Sequence, residues 1–130
     1  MGLFSPGHLP YVSSRDTSPD GQPSLVNMTA QAIKLLSRNR QGYILVVEGG
    51  NVDNAHHEGT AKRALEETSE LSDAVAYAVS ATSEDDTLII VTADHSHTLT
   101  IAGYPERGDD ILGWYIYNSI NFVYSGGNKI

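Results

Sequence analysis

Two apolar runs, each followed at once by carboxylate and imidazole side chains, most constrain what this chain can fold into. Residues 43–47 and residues 87–91 are short, apolar and rich in β-branched side chains, a pattern typical of buried strands. Polar residues that follow such a strand lie at the carboxyl edge of a parallel sheet, where open α/β folds bind ligands. The sequence therefore predicts a ligand site between the ends of two strands.

The polar residues after these runs are typical metal ligands. Asp53 and His57 are spaced i, i+4, so one helical turn would point both side chains the same way. The second run is followed by Asp94, His95 and His97. Zinc favours imidazole nitrogen and carboxylate oxygen, so both sets predict metal binding. Taken singly, either aspartate could instead cap a following helix.

Helical patterns separate the two runs. Apolar periodicity predicts helices over residues 24–37 and 58–82, with the acidic side chains of the second helix facing solvent. These acidic residues are Glu66, Glu67, Glu70 and Asp73. Together with the two runs, the helices predict an α/β fold: a βαβ segment of a doubly wound, mostly parallel sheet with a right-handed crossover, incomplete in this chain.

Composition excludes several other classes of function. The formal net charge is -8, which argues against partners such as nucleic acid or an anionic membrane surface. The chain has no cysteine, which excludes thiolate zinc sites and disulfides. It also has no signal-like or membrane-spanning run.

The motifs resemble those of the alkaline phosphatase family of the eukaryotic type. That resemblance rests on Val47-Glu48-Gly49-Gly50, Val52-Asp53, His56-His57-Glu58-Gly59, Val91-Thr92-Ala93-Asp94-His95-Ser96-His97, Gly103-Tyr104-Pro105-Glu106-Arg107-Gly108 and the opening Gly2-Leu3-Phe4-Ser5-Pro6-Gly7. We interpret residues 1–113 as a partial alkaline phosphatase-like domain and residues 114–130 as a divergent tail of unknown structure.

The resemblance implies a parent enzyme that hydrolyses phosphate monoesters through a phosphoserine intermediate, with two Zn²⁺ and one Mg²⁺. By residue-for-residue match, Asp53 and His57 bind one zinc, Asp94 and His95 the other, Glu48 the magnesium, and His97 hydrogen-bonds Asp53. The resemblance gives His56 no role, and we interpret it as a packed or solvent-facing neighbour. Asn54 departs from the family, which usually has His or Lys there, near the phosphate.

Several catalytic parts of the family are missing from these residues. There is no Asp-Ser-Ala triplet to supply the nucleophile, and each zinc has two of its three expected ligands. The resemblance therefore implies a middle segment, inactive alone, of a parent that is homodimeric and either extracellular or attached to the cell surface through a lipid anchor. Two alternatives remain open: another member of the metal-dependent phosphatase and phosphomutase superfamily, or a non-catalytic fragment that binds metal or a partner.

Overall fold

Three helices carry most of the structure, a computed structural model that describes residues 1–100, 106–112, 114–117 and 120–123. A 3₁₀ helix at Val12–Ser14 comes first, followed by α1 (Leu25–Leu36), α2 (Asn51–His57) and α3 (Ala61–Ala81). Two short strands, β1 (Trp114–Tyr117) and β2 (Ile120–Val123), come last. The 3₁₀ helix, α1 and α2 all pack against α3, which is therefore the central element of the described fold.

The helix predicted over residues 24–37 corresponds to α1. The Ser24 side chain accepts a hydrogen bond from Asn27 N at 2.9 Å, so it caps one of the free N–H groups of the first turn. Ile33 and Thr29 are buried on the face that packs against α3. The helix ends at Leu36, where Ser37 N donates to Ile33 O.

A tight turn joins α2 to α3 and brings the two helices together. Gly59 adopts a φ of 67°, which residues with a Cβ adopt at a cost of about 1–2 kcal/mol. Thr60 then donates to Ala55 O from both its N–H group, at 2.9 Å, and its hydroxyl, at 3.1 Å. Ala55 and Ala64 are almost fully buried, and such small side chains let the two helices approach closely.

The predicted βαβ sheet is wrong. Within the described ranges, residues 43–47 and 87–91 form neither helix nor hydrogen-bonded strand. Within the residues that the structure describes, the strands are β1 and β2, which pair antiparallel with Trp114 opposite Val123. They fall in residues 114–130, the tail for which no structure was predicted, and the remainder of that tail lies outside the described residues. The described architecture is thus helical, with one small antiparallel hairpin.

Exposure along the first apolar run explains why the strand prediction failed. Ile44 is 92% exposed and Val46 85% exposed, whereas their neighbours Tyr43, Leu45 and Val47 are partly buried. Side-chain exposure along residues 43–47 therefore alternates as it does in a strand with one buried face, but the backbone has no hydrogen-bonded neighbouring strand. Alternation and β-branching are local properties, but a sheet also requires a second backbone at hydrogen-bonding distance. The apolar pattern of the sequence indicated that these side chains prefer to be buried, but it carried no information on which strand, if any, would pair with them.

The acidic face of α3 also departs from its predicted solvent exposure. Glu67 and Glu70 are 9% and 8% exposed. Both oxygens of Glu70 accept hydrogen bonds from Arg15 Nη1, at 2.8 and 3.0 Å, and one also accepts from Leu25 N at 2.8 Å. Glu67 accepts from Val12 N at 2.6 Å. These carboxylates hold the segment before α1 on α3, because its donors would otherwise be buried without partners.

Replacing Glu67 with glutamine should stabilise the chain at neutral pH. Burial raises the pKa of Glu67 above its ordinary value of 4.5, and the neighbouring Glu70 charge acts in the same direction. A raised folded-state pKa means that ionised Glu67 opposes folding at neutral pH, and that this opposition disappears as the pH falls through the raised pKa towards 4.5. Glutamine is uncharged and keeps a carbonyl oxygen for Val12 N.

Thermal unfolding of the wild type and of Glu67→Gln at pH 7 and pH 4 checks this. We expect a higher midpoint for the variant at pH 7 and little difference at pH 4. Glu84→Gln, at an exposed position after α3, should change neither midpoint. A variant that is less stable than the wild type at pH 7 would show that the charge of Glu67 stabilises the fold.

Candidate metal centre

Helix α2 presents the first part of the candidate centre. Asp53 lies in its first turn and His57 in its last, and Asp53 Oδ2 is 3.4 Å from His57 Nε2. The helix is held in place by its fully buried Ala55 and by Asn51, whose Nδ2 donates to Leu9 O at 3.0 Å. The i, i+4 spacing seen in the sequence thus brings the two side chains together, as one helical turn requires.

Residues 94–97 bring the second part to the same aspartate. His97 Nε2 is 3.2 Å from Asp53 Oδ1, and His95 Nε2 is 3.6 Å from that oxygen. His95 Nε2 is also 3.4 Å from Asp94 Oδ2. Both histidine-containing motifs therefore converge on Asp53, although the parallel strands that were predicted to place them there are not formed.

The donor geometry fits a divalent cation that prefers tetrahedral coordination. Two ligands at the usual zinc distance of about 2.05 Å lie roughly 3.3 Å apart in a tetrahedron. The pairs Asp53–His57 and Asp94–His95 each have donor atoms 3.4 Å apart. Asp53 Oδ1 is buried and has no hydrogen-bond partner among the described residues, which is costly unless a cation or proton balances it. Asp53, His57 and His97 can supply three donors within 4.8 Å of one another.

Two of the predicted ligands stand apart from this group. The Asp94 side chain is 88% exposed, and within the described residues its one ion pair is with His95. Glu48 is exposed and makes no hydrogen bond or ion pair within the same ranges. The structure thus brings together Asp53, His57, His95 and His97, leaves Asp94 at their edge, and gives Glu48 no contact with them.

Two neighbouring groups favour the protonated form of His95. The hydrogen bond between its Nδ1 and Ser96 O at 3.0 Å raises the pKa of His95, and the neighbouring charge of Asp94 raises it further. A metal would have to compete with this proton, so metal binding at His95 should weaken as the pH falls.

The sequence predicted His56 only as a packed or solvent-facing neighbour, without a role in the centre. Its ring stacks against the His97 ring, with centroids 5.0 Å apart and planes inclined by 16°. Residues 56 and 97 are far apart in the chain, so no local pattern could have revealed this contact. The only signal was the pair of consecutive histidines at the end of a predicted helical turn.

A cavity of about 410 Å³ lies beside the centre. It is bounded by the loop of residues 8–11 and by α2, and it includes His57 and Asn54 in its lining. The cavity is wide open to solvent, so it is a surface cleft and not an enclosed ligand pocket. Asn54 Nδ2 donates to Asn51 Oδ1 at 3.0 Å, so the side chain that departs from the family pattern is neutral and already hydrogen-bonded.

Comparison with known proteins identifies the family. The family model described as alkaline phosphatase matches residues 1–121. The chain belongs to the alkaline phosphatase family. The tissue-nonspecific alkaline phosphatases of Felis catus and Homo sapiens are 50% and 49% identical to it over 113 residues, which is 87% of this chain. A membrane-bound alkaline phosphatase of Bombyx mori is 47% identical over the same length.

These alkaline phosphatases are much longer than the chain. The 113 matched residues make up 21% of the feline and human proteins and 20% of the silkworm protein. The resemblance inferred from the motifs is therefore confirmed for a portion of an alkaline phosphatase. In the part of the chain that the structure describes, no helix has both the length and the apolar character needed to cross a membrane.

Proposed function

We propose that this chain provides part of the metal centre of an enzyme that hydrolyses phosphate monoesters. The observation that carries the proposal is the convergence of Asp53, His57, His95 and His97, from two separate motifs, around one carboxylate. Membership of the alkaline phosphatase family supports the same function for the whole protein.

The proposed ligands follow the residue-for-residue match. Asp53 and His57 hold one zinc, Asp94 and His95 hold a second, and Glu48 contributes to a magnesium site. The 3.4 Å donor separations support the two zinc pairs, whereas for Glu48 the resemblance is the only support. When bound, such ions polarise phosphate oxygens and lower the pKa of an attacking hydroxyl or water.

Residues of this chain orient the carboxylate of Asp53 and line the cavity in which we propose that the substrate binds. Asp53 presents Oδ2 towards His57 and Oδ1 towards His97, so its carboxylate is held from both sides. The cavity next to His57 offers room for the alcohol part of a phosphate ester. Asn54 lines that cavity as a neutral group, so we expect weaker attraction of the phosphate than with a cation at this position.

Location and assembly are proposals that rest on relatives. The Bombyx mori relative is named membrane-bound, which supports membrane attachment of the parent. A lipid anchor at the cell surface, or an extracellular location, rests on the family resemblance alone. We also propose that the parent is a homodimer. The nucleophilic serine and the remaining metal ligands would come from outside these 130 residues.

A second candidate function is metal binding without catalysis. It is favoured by two facts about the chain itself: four donors converge without help from other sequence, and no Asp-Ser-Ala triplet is present. Under this alternative the isolated chain binds zinc but hydrolyses nothing. The isolated chain is expected to be inactive under the first proposal too, so the full-length protein must be tested.

Substitution of His57 in the full-length protein that carries this chain provides the test. We expect His57→Ala to lower kcat/KM for a chromogenic phosphate monoester by at least about 100-fold, because a zinc ligand is lost. Asp73→Ala is the control, since Asp73 is exposed on α3 and lies outside both the cluster and the cavity; its effect should stay within about twofold. A full-length protein without metal-dependent hydrolysis would favour the non-catalytic alternative, and equal effects of the two substitutions would refute the ligand assignment.

A further inference from the structure

Three histidine rings are in contact at the centre, and one of them, His56, has no role by family resemblance. His97 lies between the two consecutive histidines of α2: its ring is nearly parallel to that of His56, at 5.0 Å, and edge-on to that of His57, at 4.7 Å. Both separations fall within the roughly 4.5–7 Å of favourable aromatic pairs. The His97 ring therefore contacts two rings of α2, in addition to the His95 ring at 5.9 Å and the Asp53 carboxylate.

His56 is itself fixed by the backbone of its own helix. Its Nδ1 lies 2.7 Å from Val52 O, one turn earlier. A carbonyl oxygen can only accept, so Nδ1 carries the proton and donates it. This bond sets the orientation of the ring, and the ring then presents a flat face to His97.

His97 transmits this orientation to Asp53. The His97 side chain is only 19% exposed, and its Nε2 faces Asp53 Oδ1 at 3.2 Å. That oxygen is buried and has no hydrogen-bond partner among the described residues, and of the two imidazoles that face it His97 is nearer than His95, whose Nε2 is 3.6 Å away. A ring free to rotate at position 97 would remove the nearer of these two groups, while Oδ2 would still face His57.

We propose that His56 is a positioning residue for the metal centre, acting through the ring of His97 on the carboxylate of Asp53. The inference rests on the proposed metal-binding function and gives a role to a residue that neither motif analysis nor family resemblance assigned. Groups that orient a metal ligand from outside the coordination sphere typically change metal affinity by about 10- to 100-fold. Because His56 acts through one intermediate residue, we expect the lower end of that range.

Zinc titration of the 130-residue chain tests this proposal without requiring activity. We expect His56→Ala to weaken zinc binding by about 10-fold and His56→Phe, which keeps an aromatic face against His97, by no more than about threefold. Cobalt provides a second readout: its visible absorption reports coordination geometry, so His56→Ala should alter the spectrum and His56→Phe should retain it. Thermal unfolding without metal shows whether each variant is folded.

A double substitution shows whether the effect passes through His97. In the His97→Ala background, adding His56→Ala should change zinc affinity by less than about twofold, because the intermediate is already gone. Full additivity would overturn the proposal, and so would His56→Phe being as weak as His56→Ala, since an aromatic face against His97 would then not be what positions that ring. His56→Ala binding zinc like the wild type would overturn this inference alone. Failure of Asp53→Ala to weaken binding would overturn the proposed function with it.

Discussion

Zinc affinity of the chain should fall by about 100- to 1,000-fold when Asp53 is replaced with alanine, the largest effect expected of any single ligand substitution. Asp53 is the one residue that the other donors share, because His57 approaches one of its oxygens while His95 and His97 approach the other. Structural zinc sites bind with about 10–16 kcal/mol over four ligands, so one ligand contributes roughly 2.5–4 kcal/mol. Removing Asp53 also leaves His97 without the carboxylate it faces.

Competition with a chromogenic chelator measures this loss. Asp53→Asn removes the charge but keeps the size of the side chain and one carbonyl oxygen, so it separates the two contributions to zinc binding. We expect this variant to bind zinc more weakly than the wild type and more tightly than Asp53→Ala. The control is Asp73→Ala, an exposed acid on α3 outside the cluster, with an expected change below about twofold. Equal affinity of Asp53→Ala and Asp73→Ala would mean that zinc is bound elsewhere.

Glu70→Ala should destabilise the fold by about 3–5 kcal/mol, the range measured when one partner of a buried ion pair is removed. The substitution removes the ion-pair partner of Arg15, whose side chain is 13% exposed, and the hydrogen-bond acceptor of Leu25 N at the start of α1. For a chain of this size the loss corresponds to a fall of roughly 10–15 °C in the unfolding midpoint. This change in stability is larger in size than the change expected for Glu67→Gln, because glutamine keeps a hydrogen-bond acceptor at position 67.

Urea and thermal unfolding of three variants test the assignment to a buried pair. Asp73→Ala on the same helix should change stability by no more than about 0.5 kcal/mol. The double variant Arg15→Met with Glu70→Gln removes both charges and keeps an amide oxygen for Leu25 N, so it should be more stable than Glu70→Ala alone. A loss below about 1 kcal/mol for Glu70→Ala would show that the pair behaves like a surface salt bridge.

Local sequence patterns were sufficient where the physical cause is local. Helix α1 and the long helix α3 follow from apolar periodicity, and both are present near their predicted limits. The pairing of Asp53 with His57 follows from the i, i+4 spacing. The family was recognisable because two motifs occur in order, and comparison with known proteins confirmed it.

Only the tertiary structure could decide features that join distant parts of the chain. Strand pairing is one, since the apolar runs at residues 43–47 and 87–91 describe burial preference but not the backbone that would bond to them. The burial of Glu67 and Glu70 is another, because their partners Val12 and Arg15 are 55 residues away.

The candidate site shows the same division. The sequence by itself determined the family, the helices and the donor types. Tertiary contacts decided that both motifs meet at Asp53 and that His56 packs against His97, because donor chemistry depends on residue type whereas convergence depends on how α2 and residues 94–97 are held together.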